Sequence, residues 1–582
     1  MMLKAMYRES LFQVFITLTA FSLFIWGIIT KFDVMIFLAS LLLSILLGTI
    51  VLKPGNASRP AEAIFAVLII SSSLSVGFEL QSNYPLGTDV HGEYYFLNLL
   101  KYGLIKPGEL GHYSDILFFH YEFFIFELIT GIHLIKAMKL VGTFIILLIP
   151  LATYVYVLEV LKKRESALIA SIAIIIQSSY LITLHSTLKQ VMSLFIAPIL
   201  IFVLYKIVNN FNIRDITVYL ILLLGLIGHY YGTSAIIVSL IIVSMLLHIL
   251  VKGFSHGERR GTLYIITILT ATMWFTWYTI FTSNILKGFV ELGTRIVNVE
   301  PAEYYVYRSP LPPMLDWLRF IINAFFVYAL ILGTFSEKML GKRNMKNVDV
   351  FELMLIATKI LFITSLIAEY LKLSTIGLGR TFISYLVILS PIVYTGFRRI
   401  LQIFNYILNL VVKNFLKLSG EIHIKLYVLI LIIFILRFII TLGLFNFVIG
   451  DVYDIPFYDN AYGIRNGPSK ADLLTLDFIE EHVFNVNITI ATDFKSLSKL
   501  SYAPYLKLYA RIAYNYFQPN VFDYYNEREN YFIIYLSSHN IELGEIYASH
   551  KLYRKIHYYL PKLLEKNLVF NCGLTKILLH YH

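Results

Sequence analysis

The chain has 582 residues, 58% of them hydrophobic and 15% charged, with a mean hydropathy of +0.71. That composition excludes a water-soluble enzyme, whose charged share runs near about a quarter, and it excludes a disordered chain. The net charge of +11 raises nucleic acid as a partner, but the basic residues gather at the ends of apolar runs, where anionic headgroups suffice, so no nucleic acid is expected.

Apolar runs of bilayer length recur at residues 11–30, 34–52, 61–78, 138–160, 166–184, 190–208, 215–230, 233–251, 262–284, 314–334, 350–371, 378–397 and 426–448. They predict about thirteen spans, hence a mainly α, polytopic transmembrane helical bundle over residues 1–449. The first run is not followed by a small-residue cleavage site and reads as a retained anchor. The pair flanking Gly232 could also be one broken helix. With Lys4 and Arg8 cytoplasmic, inner loops collect Lys162, Lys163, Arg164, Arg259, Arg260, Arg398 and Arg399 among others, and inner basic residues outnumber outer ones roughly two to one. This orientation predicts a multi-pass cell-membrane protein with a cytoplasmic N-terminus and three external segments: 79–136, 285–313 and 450–582.

The first external segment opens with Tyr84-Pro85-Leu86-Gly87-Thr88-Asp89-Val90-His91-Gly92-Glu93-Tyr94. Pro85 and Gly87 break the preceding helix, and a helix starting near Thr88 projects Asp89 and Glu93, four residues apart, from one face. That is the geometry of an acid/base pair or, with His91, of a divalent metal site for Mg or Mn. The plainer alternative is Asp89 as a helix cap with Glu93 solvated. Ionisable groups at a membrane boundary are costly, which favours the functional reading. Further on, Asp115-Ile116-Leu117-Phe118-Phe119-His120-Tyr121 predicts interfacial helices, and Glu122 with His120 offers a second carboxylate and ligand.

At the outer end of a later span, His229-Tyr230 reads either as a substrate-binding pair or as part of an aromatic belt. In the 285–313 loop, Tyr305 suits stacking on a sugar ring, though a folded interfacial loop explains it as well. Ser374-Thr375-Ile376-Gly377-Leu378-Gly379-Arg380 places a guanidinium beside two glycines, whose backbone lets an anion approach; the alternative is a snorkelling arginine. Beyond 450 the hydropathy drops, and a small external α/β domain is expected: a helix near 470–482, strands at 488–491 and 531–536, and a terminal pair turning at Asn571-Cys572-Gly573. Cys572 is the sole cysteine, which excludes a disulfide framework and any multi-cysteine metal site.

Activated nucleotides are cytoplasmic, so an outer-face transferase needs a donor that arrives through the membrane, and a lipid-linked phosphosugar meets that need. Its chemistry calls for a carboxylate to take the acceptor proton and a cation for the phosphate leaving group, the roles expected of Asp89 and Arg380. The rival is a transporter or flippase of lipid-linked saccharides, which calls for ionisable residues near mid-membrane in matched halves. Lys139, Arg319, Lys359, Glu369 and Arg437 read instead as lying mostly near span ends, without internal symmetry.

Taken together, Gly87-Thr88-Asp89-Val90-His91-Gly92-Glu93-Tyr94, His229-Tyr230 and Gly377-Leu378-Gly379-Arg380 resemble the GT-C superfamily of integral-membrane glycosyltransferases, and within it an archaeal family of predicted membrane proteins. The resemblance implies a polyprenyl-phosphate-linked sugar donor, transfer to a glycan, lipid or protein acceptor, and an acidic first-loop residue as base, which maps onto Asp89. The Trp-Trp-Asp-Tyr-Gly signature of oligosaccharyltransferase catalytic subunits does not occur, so en bloc transfer to asparagine is not expected.

Overall fold

A computed structural model describes residues 18–28, 60–82, 88–103, 117–177, 184–252, 258–280, 313–333, 350–370, 378–415 and 425–442, a short helix at 472–476, seven strands beyond it, and a few isolated positions. The helices in chain order are α1 (Leu18–Ile28), α2 (Pro60–Glu79), α3 (Thr88–Lys101), α4 (Leu117–Thr130), α5 (Leu134–Leu161), α6 (Arg164–Ile175) and the single turn α7 (Leu184–Ser186). There follow α8 (Leu188–Asn209), α9 (Ile213–His229), α10 (Tyr231–Lys252), α11 (Glu258–Ile280), α12 (Pro313–Leu332), α13 (Val350–Tyr370), α14 (Leu378–Ile388), α15 (Ser390–Phe415) and α16 (Leu426–Leu442). A lipid core offers backbone groups no water, so each apolar run satisfies its own N–H and C=O groups as a helix.

Among the described residues, α5, α8, α10 and α13 are long and apolar enough to cross a bilayer. Shorter apolar helical stretches among the described residues are Leu18–Ile28, Val67–Glu79, Phe320–Leu332 and Leu426–Thr441. Three departures from the predicted pattern matter for the site. The 378–397 run is a bent pair, α14 and α15 meeting at 92°. Ser390-Pro391 opens the second arm, and a proline early in a helix supplies no N–H to the turn before it. The 166–184 run stops being α-helix at Ile175, and the Gln177 amide donates back to the Ala173 carbonyl at 2.9 Å. Finally, of the two described helices of the 79–136 segment, α4 exposes an apolar face with Tyr121, Phe124, Ile125, Leu128 and Ile129. The other helix of that loop, α3, is sunk into the bundle, with Val90, Tyr94, Leu97 and Leu99 buried.

Hydrophobic contrast cannot drive helices together in lipid, so small residues and polar contacts hold the seams. At the α12–α15 seam, Gly396 lies against the Ala329 backbone and Gly333 against that of Ile392, leaving no room for a Cβ at either glycine. Tyr180 donates to the Ile146 carbonyl at 2.9 Å and contacts the Ser71 hydroxyl, tying α2 to α5. Tyr219 pairs with Thr270 at 2.7 Å between α9 and α11, and Tyr156 donates to the Ile388 carbonyl at 3.2 Å, bracing the bend.

In the C-terminal segment, five strands form a mixed sheet in the order β2-β1-β3-β7-β6: β1 (Thr489–Ala491), β2 (Arg511–Ala513), β3 (Tyr531–Leu536), β6 (Asn567–Asn571) and β7 (Lys576–Tyr581). The first three pair in parallel, while β7 runs antiparallel to both β3 and β6. Two more strands, β4 (Glu545–Ser549) and β5 (Leu552–Lys555), make a separate hairpin. The strands expected at 488–491 and 531–536 and the terminal pair are present; the Cys572-Gly573 turn lies outside the described residues.

Candidate active site

Helix α3 begins at Thr88, as the breakers Pro85 and Gly87 predict, and carries Asp89 in its first turn. Arg380 stands in the first turn of α14, just after Gly379. Although 291 residues apart, they meet: Arg380 Nη2 donates to Asp89 Oδ2, with both side chains only partly covered, at 24% and 30% exposure. The buried Tyr230 hydroxyl, at the break between α9 and α10, stands beside the same guanidinium.

Glu93 shares a helix face with Asp89 but has a different setting. It is fully buried and turned toward the start of α8, where Oε2 accepts the Leu188 N–H at 3.1 Å and Oε1 lies 3.8 Å from Lys189 Nζ. Burial pushes its carboxyl up to about 8, Lys189 pulls it down, and the nearby Asp89 charge adds to the rise. The carboxyl therefore anchors a helix start and is not presented to a substrate. His91 is buried and, two positions on from Asp89, leaves the helix on the opposite side. Among the described residues no three His, Cys, Asp or Glu side chains converge to hold a metal, so Asp89, His91 and Glu93 do not form the donor set considered from the sequence.

The first turn of α8 links these elements. Gln190 Nε2 donates to the Arg380 backbone carbonyl at 3.3 Å and to Ser384 Oγ at 3.4 Å, and Ser384 Oγ itself donates to the Arg380 carbonyl at 2.9 Å. Ser193 donates to the Gln190 carbonyl at 2.8 Å and to Thr233 on α10 at 3.0 Å. All of these polar residues are buried, so Arg380 is set by a web reaching three other helices.

An apolar cavity of about 370 Å³ is lined by Phe123 and Phe126 of α4, Val141 and Ile145 of α5, and Met192, Phe195 and Ile196 of α8. Its polar edge is the pair Glu122–His229, with Nε2 2.9 Å from Oε2 and Nδ1 2.5 Å from the Gly225 carbonyl. Both ring nitrogens thus face oxygen atoms. His229 lines the cavity, and its sequence neighbour Tyr230 stands beside Arg380.

The sequence reading missed a second buried cluster at the same end. His185 Nδ1 meets Glu79 Oε1 at 2.7 Å, its ring centroid is 4.5 Å from that of Phe78, and Lys139 lies 3.6 Å from Glu79 Oε2 while donating to the Glu79 carbonyl at 2.7 Å. These residues lie far apart in sequence, and no local pattern joins them. Lys359 is also not near a span end: it sits midway along α13 and donates to the Ile331 carbonyl at 2.9 Å and to the Gly333 carbonyl. Gly377 and Tyr305 lie outside the described residues.

No protein-family model matches the chain, and no curated protein matches it by sequence. In overall chain course it is similar to the arabinofuranosyltransferase AftD from mycobacteria, at 11% identity and a TM-score of 0.48, over 88% of this chain and 41% of that one. A second structural state of AftD matches at 12% identity and a TM-score of 0.44, over 90% of this chain and 42% of that one. The chain therefore spans less than half the length of AftD. It is also similar to ArnT from Cupriavidus metallidurans, solved bound to undecaprenyl phosphate, at 10% identity and a TM-score of 0.38, over 89% of this chain and 97% of that one.

Proposed function

We propose that this protein is a membrane glycosyltransferase that moves one sugar from a polyprenyl-phosphate carrier to a glycan, lipid or protein hydroxyl at the outer face, with Asp89 as general base and Arg380 holding the phosphate. The observation that carries the reading is the direct contact of Asp89 with Arg380 beside Tyr230. A cavity of about 370 Å³ is within the range of small-molecule sites, roughly 300–1,000 Å³, and its aliphatic and aromatic lining suits an isoprenoid chain.

The guanidinium has five N–H donors in a fixed fork, so it can keep Asp89 and still grip a phosphate oxygen. Asp89 then takes the proton of the acceptor hydroxyl as its oxygen attacks the anomeric carbon. The bond from that carbon to the phosphate oxygen breaks, and the lipid phosphate leaves with its added negative charge on Arg380. No step is assigned to a metal. Glu93 and Gln190 hold the helices that carry the two reacting side chains.

Asp89→Asn in the full chain should reduce transfer at least about a thousandfold while polyprenyl-phosphate binding survives, a loss at the upper end of what a base contributes. Transfer at the wild-type rate in that variant would remove the base. The transporter reading draws on the broken helix α14–α15 with Arg380 at its start and on mid-helix Lys359, both features of alternating-access carriers. Sugar transfer by purified protein in detergent, with no membrane gradient, separates the two.

A further inference from the structure

The Gln190 side chain has one end fixed and the other open. Its amide nitrogen faces two oxygens, the Arg380 carbonyl and Ser384 Oγ. A carbonyl can only accept, so the atom facing it is the NH₂ group and the remaining atom is the carbonyl oxygen. That oxygen, Oε1, is fully enclosed and has no hydrogen-bond partner among the described residues. A buried acceptor left without a donor costs about 1–3 kcal/mol, and such a group in an otherwise satisfied web calls for an explanation. The rest of that web is spoken for: Ser193 on Gln190's own carbonyl and on Thr233, Ser384 on the Arg380 carbonyl.

We infer that Gln190 Oε1 accepts a hydrogen bond from a hydroxyl of the donor's sugar ring, making Gln190 a specificity-determining residue. This rests on the glycosyltransferase reading and deepens it. Gln190 is hydrogen-bonded to the backbone of Arg380 and to Ser384 on the same helix, so its free oxygen belongs to the shell of polar groups around the residue proposed to grip the phosphate. The free atom is an acceptor, so the group recognised must donate, which a ring hydroxyl does and a phosphate or hydrocarbon chain does not. A site built to bond a hydroxyl rejects an analogue lacking it far more strongly than an apolar pocket rejects a missing methylene.

The test uses full-length protein in detergent and two kinds of probe: a short-chain polyprenyl phosphate, and its hexosyl and pentosyl esters with their monodeoxy analogues. Gln190→Met keeps the volume and removes both polar atoms; Gln190→Asn is the fallback should Gln190→Met misfold. Because Gln190→Met also frees the Arg380 carbonyl, the variant is expected to bind the bare phosphate somewhat more weakly than wild type and its preferred sugar ester about tenfold more weakly again. One deoxy analogue should lose about tenfold against wild type and nothing further against the variant. Equal loss for bare and sugar-bearing lipid would overturn the inference and leave Gln190 as a prop for Arg380 only. Deoxy analogues that all bind wild type like the parent ester would overturn it too, since a water or a protein donor then satisfies the oxygen. If wild type bound the bare lipid but no ester, the sugar contact alone would fail; if it bound neither, the function proposed above would fall as well.

Discussion

Replacing Glu93 with Gln isolates the energetic role of the buried carboxyl. Glu93 lies between α3 and the start of α8, fully enclosed, with the Leu188 N–H and Lys189 as its partners. Desolvation raises its carboxyl from an ordinary 4.5 to about 8. At about 1.4 kcal/mol per tenfold change in proton affinity, that separation caps the cost of ionising it in the folded protein at roughly 5 kcal/mol. The sign follows from linkage: the folded state holds this proton more tightly than the unfolded chain, so its stabilising contribution is complete below pH about 4.5 and is lost as pH rises to about 8. The thermal midpoint of the wild type in detergent should therefore fall by several degrees between pH 5 and pH 9. Glu93→Gln keeps an acceptor for the Leu188 N–H and has no proton to lose, so its midpoint should vary less and exceed the wild-type value at pH 9. Parallel curves for the two proteins, or a wild-type midpoint that rises through this window, would refute the reasoning. Turnover should also survive in Glu93→Gln, in contrast to Asp89→Asn.

Filling the apolar cavity with Ile196→Trp should raise KM for a polyprenyl-linked donor by about tenfold or more with kcat little changed, measured in a transfer assay; an unchanged KM would place the lipid elsewhere. Gly396→Ala forces a methyl group into the Ala329 backbone, which has no side-chain route to relieve the clash. Overpacking of this kind costs about 1–3 kcal/mol or more, visible as a lowered thermal midpoint or loss of folded yield. Lys359→Met removes the donor serving the Ile331 and Gly333 carbonyls and should destabilise by about 1–3 kcal/mol, read in the same melt, while leaving the KM for donor unchanged.

The helices were legible because apolar length and breakers are local signals: Pro85 and Gly87 before Thr88, and Gly379 beside Arg380, marked where helices begin. Asp89 and Arg380 could be singled out for the same reason, since each is a charge at a helix start. Their contact depends on how α3 and α14 pack, which no local pattern records. Burial of α3 was misread because aromatic and apolar residues look alike whether their neighbour is lipid or another helix. His185 and Gln190 went unnoticed for a related reason: the meaning of each comes from Glu79 or Arg380, more than a hundred positions away. Lys359 looked peripheral because helix ends, not helix centres, are where hydropathy fails to locate residues well.

The right-angled break at Leu389 divides labour within one stretch of chain. The long limb is locked by its glycine against a neighbouring backbone, whereas the short limb carrying Arg380 is fastened by side chains alone. Such a joint lets substitutions reset Arg380, or a transplant replace the eleven residues from Leu378 to Ile388, without relaying the scaffold behind it.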